Sequence, residues 1–236
     1  MACTAAEPCR ISVVVPALNE AGYIERTLQG LQGLRQRGHE VIVVDGGSQD
    51  ASVALSRPLA DTVIESAPGR ARQMQAGAAI AQGNILWFLH ADTRACSQAD
   101  QLIINALMNS GRLWGRFDVR FPDGGLLLKS IAWMMNMRSR LTGIATGDQG
   151  IFVLRPLFEC VSGYPLIPLM EDVALSRTLK HYSRPVALHD TVASSARRWN
   201  THGVVRTVIM MWGLRLAYFL GVPPKYLAGF YAARRT

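Results

Sequence analysis

Asn84-Ile85-Leu86-Trp87-Phe88-Leu89-His90-Ala91-Asp92-Thr93 decides how this chain is read. Residues 85–89 are apolar without a break and then stop at a short polar cluster. A run of that length, with no polar residue at helical spacing, reads as a strand buried on both faces, in the middle of a parallel sheet. Ligands of open α/β sheets bind just beyond the carboxyl ends of such strands. Asp92 sits at that end, where a carboxylate can hold a hard divalent cation and the cation a diphosphate. The competing reading is structural: Asp92 caps whatever follows.

Outward from that stretch the chain alternates. Residues 11–15 (ISVVV) form a β-branched run that ends in Pro16-Ala17-Leu18-Asn19-Glu20. Ile24, Leu28, Leu31 and Leu34 make one helical stripe over residues 20–37. Residues 41–44 (VIVV) run into Asp45-Gly46-Gly47-Ser48, and a helix follows from about Gln49. Residues 62–65 suggest a short strand, and Pro68-Gly69 a turn before a helix over 70–81. This alternation predicts an α/β fold with a mostly parallel, doubly wound sheet and right-handed crossovers. Neither G-x-G-x-x-G nor G-x-x-x-x-G-K-[ST] is present, which argues against a dinucleotide-binding Rossmann domain or a P-loop.

The second half is less regular. Strands are expected over 115–121, 151–154, 185–188 and 191–194, and helices over 126–141, 171–181 and 202–220. Glu171 and Asp172 open a helix, where acidic residues are favoured by the dipole whether or not they do chemistry. Pro223-Pro224 starts a last short helix.

The chain has 236 residues, 49% of them hydrophobic, and a net charge of +8. No acidic residue follows Asp190, whereas Arg197, Arg198, Arg206, Arg215, Lys225, Arg234 and Arg235 do. Such a tail suits an anionic membrane surface or a diphosphate ligand. No recognised nucleic-acid-binding motif accompanies it, so nucleic acid is not expected as a partner. Residues 204–222 are apolar but contain Arg206 and Arg215, which argues against a spanning helix and for a core or interfacial one. The first residues lack a signal-peptide core, and four scattered cysteines make no C-x-x-C pair. Together these lead us to expect reduced thiols, no zinc site and a cytoplasmic location, at the inner face of a membrane if the tail touches one.

In a parallel sheet, the polar groups after successive strands fall on one edge: Asn19 and Glu20, then Asp45, then Asp92. Gly69-Arg70-Ala71-Arg72 adds two guanidiniums suited to phosphate oxygens. A base-and-ribose site beside a metal–diphosphate site accounts for all of them.

With these motifs in order, the sequence resembles a family 2 glycosyltransferase of the GT-A fold. The resemblance rests on Val15-Pro16-Ala17-Leu18-Asn19-Glu20, on Val44-Asp45-Gly46-Gly47-Ser48-Gln49-Asp50, on Gly69-Arg70 through Gly77, on His90-Ala91-Asp92-Thr93, on Glu171-Asp172 and on Ser195-Ala196-Arg197-Arg198-Trp199. More narrowly, Thr142 to Gln149 and Arg198-Trp199 resemble a bacterial subgroup associated with radical-SAM/selenodomain proteins and arsenosugar biosynthesis.

The resemblance implies one domain over 1–236. Residues 10–95 would be its nucleotide-binding half, 96–200 its acceptor and catalytic half, and 201–236 its apolar, basic C-terminal helices. It implies an inverting transfer of sugar from a UDP- or GDP-sugar to an acceptor hydroxyl, assisted by Mn or Mg. Pro16, Ala17, Asn19, Glu20 and Asp45 would hold base and ribose; Gly69, Arg70, Arg72 and Ala91 would line the diphosphate. Asp92 would ligate the metal as the last position of a D-x-D whose first position is here His90. Asp172, paired with Glu171, would be the base. His90, Asp148, Gln149, Arg198 and Trp199 would complete the acceptor side. The acceptor is expected to be lipid-linked or amphipathic, and the C-terminal helices can pair two subunits. A sugar-nucleotide nucleotidyltransferase and a non-catalytic membrane-associated binding protein are the alternatives.

Overall fold

The apolar runs become strands buried on both faces, and alternate residues choose opposite sides. In β1 (Ile11–Ala17), Ile11, Val13 and Val15 join one hydrophobic cluster and Val14 the other. In β2 (Glu40–Asp45), Val41 and Val43 lie opposite Ile42 and Val44. In β4 (Ile85–Phe88), Ile85 and Trp87 lie opposite Leu86 and Phe88. This period of two, with both faces covered, is why the strands read as continuous apolar runs. The structure, a computed structural model, describes residues 9–197, 199 and 203–233.

The remaining strands are β3 (Thr62–Glu65), β5 (Thr93–Arg94), β6 (Trp114–Arg120), β7 (Phe152–Leu154) and β8 (Val186–Ser194). They form one eight-stranded sheet in the order β3-β2-β1-β4-β7-β6-β8-β5. The pairs β1–β2, β2–β3, β1–β4 and β6–β8 are parallel; β4–β7, β6–β7 and β5–β8 are antiparallel. One face carries α1 (Ile24–Gln29), α2 (Gln32–Gln36) and α5 (Ala99–Ser110). The other carries α4 (Arg70–Ile80), α7 (Arg155–Cys160) and α8 (Glu171–Tyr182). The short α3 (Ser52–Ser56) follows the second strand loop.

Three expectations are corrected. β4 is not in the middle of a parallel sheet but at its seam, parallel to β1 and antiparallel to β7. Its apolar pattern reports burial and carries no information on strand direction. The helix expected over 20–37 is broken at Gly30-Leu31 into α1 and α2, although Ile24, Leu28, Leu31 and Leu34 are all buried. The strands expected over 185–188 and 191–194 are one strand. Its register against β6 shifts between Arg116 and Asp118, and the irregularity absorbs the His189-Asp190 pair that split the sequence pattern.

Beyond the sheet, α6 (Leu126–Thr142) lies over the end of β6 in a small cluster with Phe121 and Trp199. The last helices, α9 (Val204–Phe219) and α10 (Pro224–Ala233), pack Leu214 and Leu227 against Ile144, Met170 and Val173. Among the described residues no helix is long and apolar enough to cross a membrane.

Candidate active site

The carboxyl ends of β1, β2 and β4 open on one edge, and their loops are tied to one another. Asn19 adopts a left-handed conformation (φ 54°), donates its backbone N–H to Ser48 Oγ (2.9 Å) and accepts from the Gln49 N–H at Oδ1 (2.8 Å). Glu20 N–H donates to Ser52 Oγ (2.7 Å), and Ala21 N–H to Asp50 Oδ2 (3.0 Å). Asp45 is 2% exposed. Its Oδ2 accepts from the N–H groups of Gly47 and Ser48 (both 2.8 Å), and its Oδ1 from Ser48 Oγ (2.5 Å). Asp45 therefore shapes the loop, and any contact it made with a ligand would run through that loop. Pro16 and Ala17 are buried beneath it.

Gln73, which the sequence did not single out, reaches up from α4 and donates Nε2 to the carbonyls of Ala17 (2.7 Å) and Val44 (2.9 Å). It locks the two strand mouths side by side. A glutamine in a helix carries no sequence sign of such a role.

The antiparallel pairing of β4 with β7 supplies the next layer. It sets the start of β7 beside the end of β4, so the 3₁₀ turn Gly147–Gln149 that precedes β7 arrives at His90. His90 Nδ1 lies 3.4 Å from Asp148 Oδ1. The His90 Nε2 atom is buried without a hydrogen-bond partner among the described residues, as is Asp172 Oδ1. Gly147 sits between them: its N–H donates to Asp172 Oδ2 (2.8 Å), and an added Cβ would fall 2.3 Å from His90 Nε2 and 2.8 Å from Asp172 Oδ2. Only glycine lets these two groups approach, a requirement invisible in the sequence. Gln149 is fully buried, with its side chain turned inward to the Thr146 N–H and to Asn136.

Glu171 and Asp172 open α8 behind Met170, whose φ of 69° is uncommon for a non-glycine residue. Arg70, the first residue of α4, places Nη1 3.7 Å from Glu171 Oε1. Burial, and next the neighbouring Asp172, hold the Glu171 carboxyl above its ordinary range despite Arg70. Gly69 (φ 130°) makes the turn before Arg70. Arg70 and Arg72 are both exposed at the start of α4, and Arg70 is the one that lies beside Glu171.

The antiparallel pairing of β5 with β8 brings in the C-terminal half. Thr93 lies opposite Ser194, so the chain just after β8 meets the loop after β4. Arg197 donates Nη2 to both oxygens of Glu20 (2.9 Å each) and lies 3.9 Å from Asp92 Oδ2. It also covers the Tyr23 ring, 4.7 Å from its centroid. Burial is the largest influence and works against the Arg197 charge, but the hydrogen bonds to Glu20 together with the charges of Glu20 and Asp92 outweigh it and raise its pKa. Trp199 is buried edge-on against Phe121 (5.7 Å), where it acts as core. Arg198 lies outside the described residues.

Asp92 is partly exposed at this mouth; Ala91 is buried and its carbonyl accepts from Thr27 Oγ1 (2.8 Å). Among the described residues no group of three or more His, Cys, Asp or Glu side chains is placed to hold a metal. A hard cation such as Mg²⁺ is usually held through one or two carboxylates plus the phosphates of a ligand. Asp92 is the carboxylate at this mouth that fits such an ion.

Residues 12–156 match the sequence profile of Glycosyl transferase family 2. The chain is 35% identical over 114 residues to an uncharacterized glycosyltransferase of Mycobacterium tuberculosis, a match spanning 44% of each chain. It is 25% identical over 141 residues to glycosyltransferase AglE of Haloferax volcanii, spanning 55% of this chain and 46% of that one. The matches thus span less than half the length of these curated relatives. Among solved structures, glucosyl-3-phosphoglycerate synthase of M. tuberculosis, in complex with Mn²⁺, UDP and glucosyl-3-phosphoglycerate, superposes with a TM-score of 0.65 at 19% identity. That alignment covers 91% of this chain and 81% of the synthase. A mannosyltransferase of Pyrobaculum calidifontis in complex with GDP-Man and Mn²⁺ gives 0.64 at 22% identity, covering 88% and 61%. These likenesses establish the GT-A-type α/β fold with helices at its C-terminus, and the profile match over most of the chain shows that it belongs to glycosyl transferase family 2.

Proposed function

We propose that the protein is an inverting glycosyltransferase that moves a sugar from a UDP- or GDP-sugar to an acceptor hydroxyl, with Asp172 as the base. The observation that carries this reading is Asp172 itself: a buried carboxylate oriented by the Gly147 N–H, with its second oxygen unpartnered among the described residues, beside the turn that meets His90. The coupled loops after β1 and β2 would receive base and ribose, with Asp45 acting through the loop it orders. Arg70 would meet the diphosphate. Two fold relatives are described in complex with Mn²⁺ and a UDP or GDP group, which supports the donor class. A Mn or Mg ion bound beside Asp92 and His90 would supply positive charge to the departing diphosphate.

The acceptor oxygen forms a bond to the anomeric carbon on the face opposite the diphosphate. The carbon–oxygen bond to the phosphate breaks with its electron pair going to the nucleoside diphosphate, and the acceptor proton passes to Asp172. A single displacement inverts the centre. Positioned proton transfer of this kind contributes roughly 10²–10⁴-fold. The resemblance to the radical-SAM/selenodomain-associated subgroup rests on Thr142 to Gln149, the stretch that builds the turn against His90, and on Arg198-Trp199. Peripheral contact with a membrane is supported by the exposed Ile209, Trp212, Leu216 and Phe219 of α9, in a segment without acidic residues.

Asp172→Asn should lose transfer by at least about 10²-fold while binding nucleoside diphosphate with Mn²⁺ as the wild type does. Turnover near wild type would remove Asp172 from the base role.

A further inference from the structure

Arg138 of α6 and Arg215 of α9 line a cavity of about 570 Å³ that the donor reading does not use. Its walls also include Val173, Ile209, Trp212 and Leu216, and no carboxylate lines it. Arg138 Nε and Nη2 and Arg215 Nε are buried without hydrogen-bond partners among the described residues. Burial first, then the like charges of Arg215 and Arg116, lower the Arg138 pKa to about 10. Burial lowers Arg215 too, with Asp148 and Asp172 opposing. Two partly buried guanidiniums of like charge facing one apolar space are unfavourable unless paired, because burial strips water from their N–H groups.

The same two groups fit a phosphate, which guanidinium binds in a planar, bidentate manner. A sugar or nucleotide would leave its hydroxyls unmatched against these walls. A hydrocarbon chain would not, and the cavity continues onto Trp212 and Leu216, which are about 60% exposed. Its volume lies within the roughly 300–1,000 Å³ of small-ligand sites. Its position is informative: Val173, in its wall, directly follows Asp172.

We propose that this cavity holds the acceptor by a phosphate set between Arg138 and Arg215 and by a hydrocarbon chain along Ile209, Trp212 and Leu216, leaving an acceptor hydroxyl to reach Asp172. The proposal rests on the glycosyltransferase reading above for the hydroxyl's role; binding at the cavity is tested independently of it.

The experiment is calorimetric titration of the full chain, below micelle concentration, with dodecyl phosphate, dodecyl maltoside and inorganic phosphate. A titration with nucleoside diphosphate and Mn²⁺ is run on the same samples. Dodecyl phosphate should bind at least about tenfold more tightly than either comparison ligand, since it adds charge-assisted hydrogen bonds over the maltoside and a buried hydrocarbon chain over inorganic phosphate. Arg138→Met and Arg215→Met should each remove that preference, keep nucleotide binding, and hold or raise the Tm of the ligand-free protein. Equal binding of dodecyl maltoside, or unchanged dodecyl phosphate binding in both variants, would overturn the proposal. Inorganic phosphate binding as tightly as dodecyl phosphate would replace it with a plain anion site. A lower Tm in both variants would show the arginines to be structural and would also overturn it. Loss of the nucleotide response with the phosphate preference intact would sink the donor reading and leave the cavity assignment standing.

Discussion

The two carboxylates that open α8 differ in what surrounds them. Asp172 has an N–H donor from Gly147 and a second oxygen without a partner among the described residues, whereas Glu171 has burial and a like charge beside it that outweigh Arg70. Because the Glu171 carboxyl is held above its ordinary range, the folded protein binds that proton more tightly than the unfolded chain does. Its contribution is most favourable below the unfolded pKa and declines as pH rises through the folded value. Glu171→Gln, which keeps the shape and removes the charge, should therefore raise Tm at pH 8 relative to wild type, with the difference shrinking towards pH 4. Thermal melts of both proteins across that range check it, and a difference independent of pH would contradict the assigned cause. At the same scale, Gly147 has no spare volume, because any side chain there displaces His90 or Asp172.

At the scale of elements, α4 is a strut between the sheet and the site. Gly77 lets it sit directly on the strands: a Cβ there would lie 2.4 Å from Val14 Cγ1 and 2.9 Å from Val44 Cγ2. Gly77→Ala gains about 1 kcal/mol of helix propensity. It also forces two stiff, fully buried valines to move, and overpacking of this kind costs about 1–3 kcal/mol. The clash should win by up to about 2 kcal/mol, lowering Tm by up to about 8 °C. It should also weaken nucleoside diphosphate binding, because the same helix presents Gln73 and Arg70. A stabilised variant would show that α4 can lift from the sheet freely.

At the scale of the whole molecule, two antiparallel pairings assemble the site from distant parts of the chain. One brings Asp148 to His90, and the other brings Arg197 to Glu20 and Asp92. The Arg197 side chain is about two-fifths exposed, and ion pairs at such positions stabilise by only about 0–1 kcal/mol. Arg197→Gln should therefore melt within about 4 °C of wild type. It should nonetheless weaken Mn²⁺-dependent nucleoside diphosphate binding, since it faces the carboxylate proposed to sit at the diphosphate. Unchanged affinity by calorimetry would take Arg197 out of the donor site.

By itself the sequence determined the local order of this protein. The runs at 11–15, 41–44 and 85–89 announced strands covered on both faces, because full burial leaves no polar residue in the pattern. The stripe at Ile24, Leu28, Leu31 and Leu34 announced the helical face beside them. The polar residues after β1, β2 and β4 lie on one edge as expected, because parallel strands share an end. Strand direction beyond β4 was not legible, since burial leaves the same apolar signature in either direction. That direction decides that Gly147 and Asp148 face His90 and that Arg197 reaches Asp92. Equally, only packing turned Trp199 into core, and closed α6, α8 and α9 around two arginines that in the sequence look like any others.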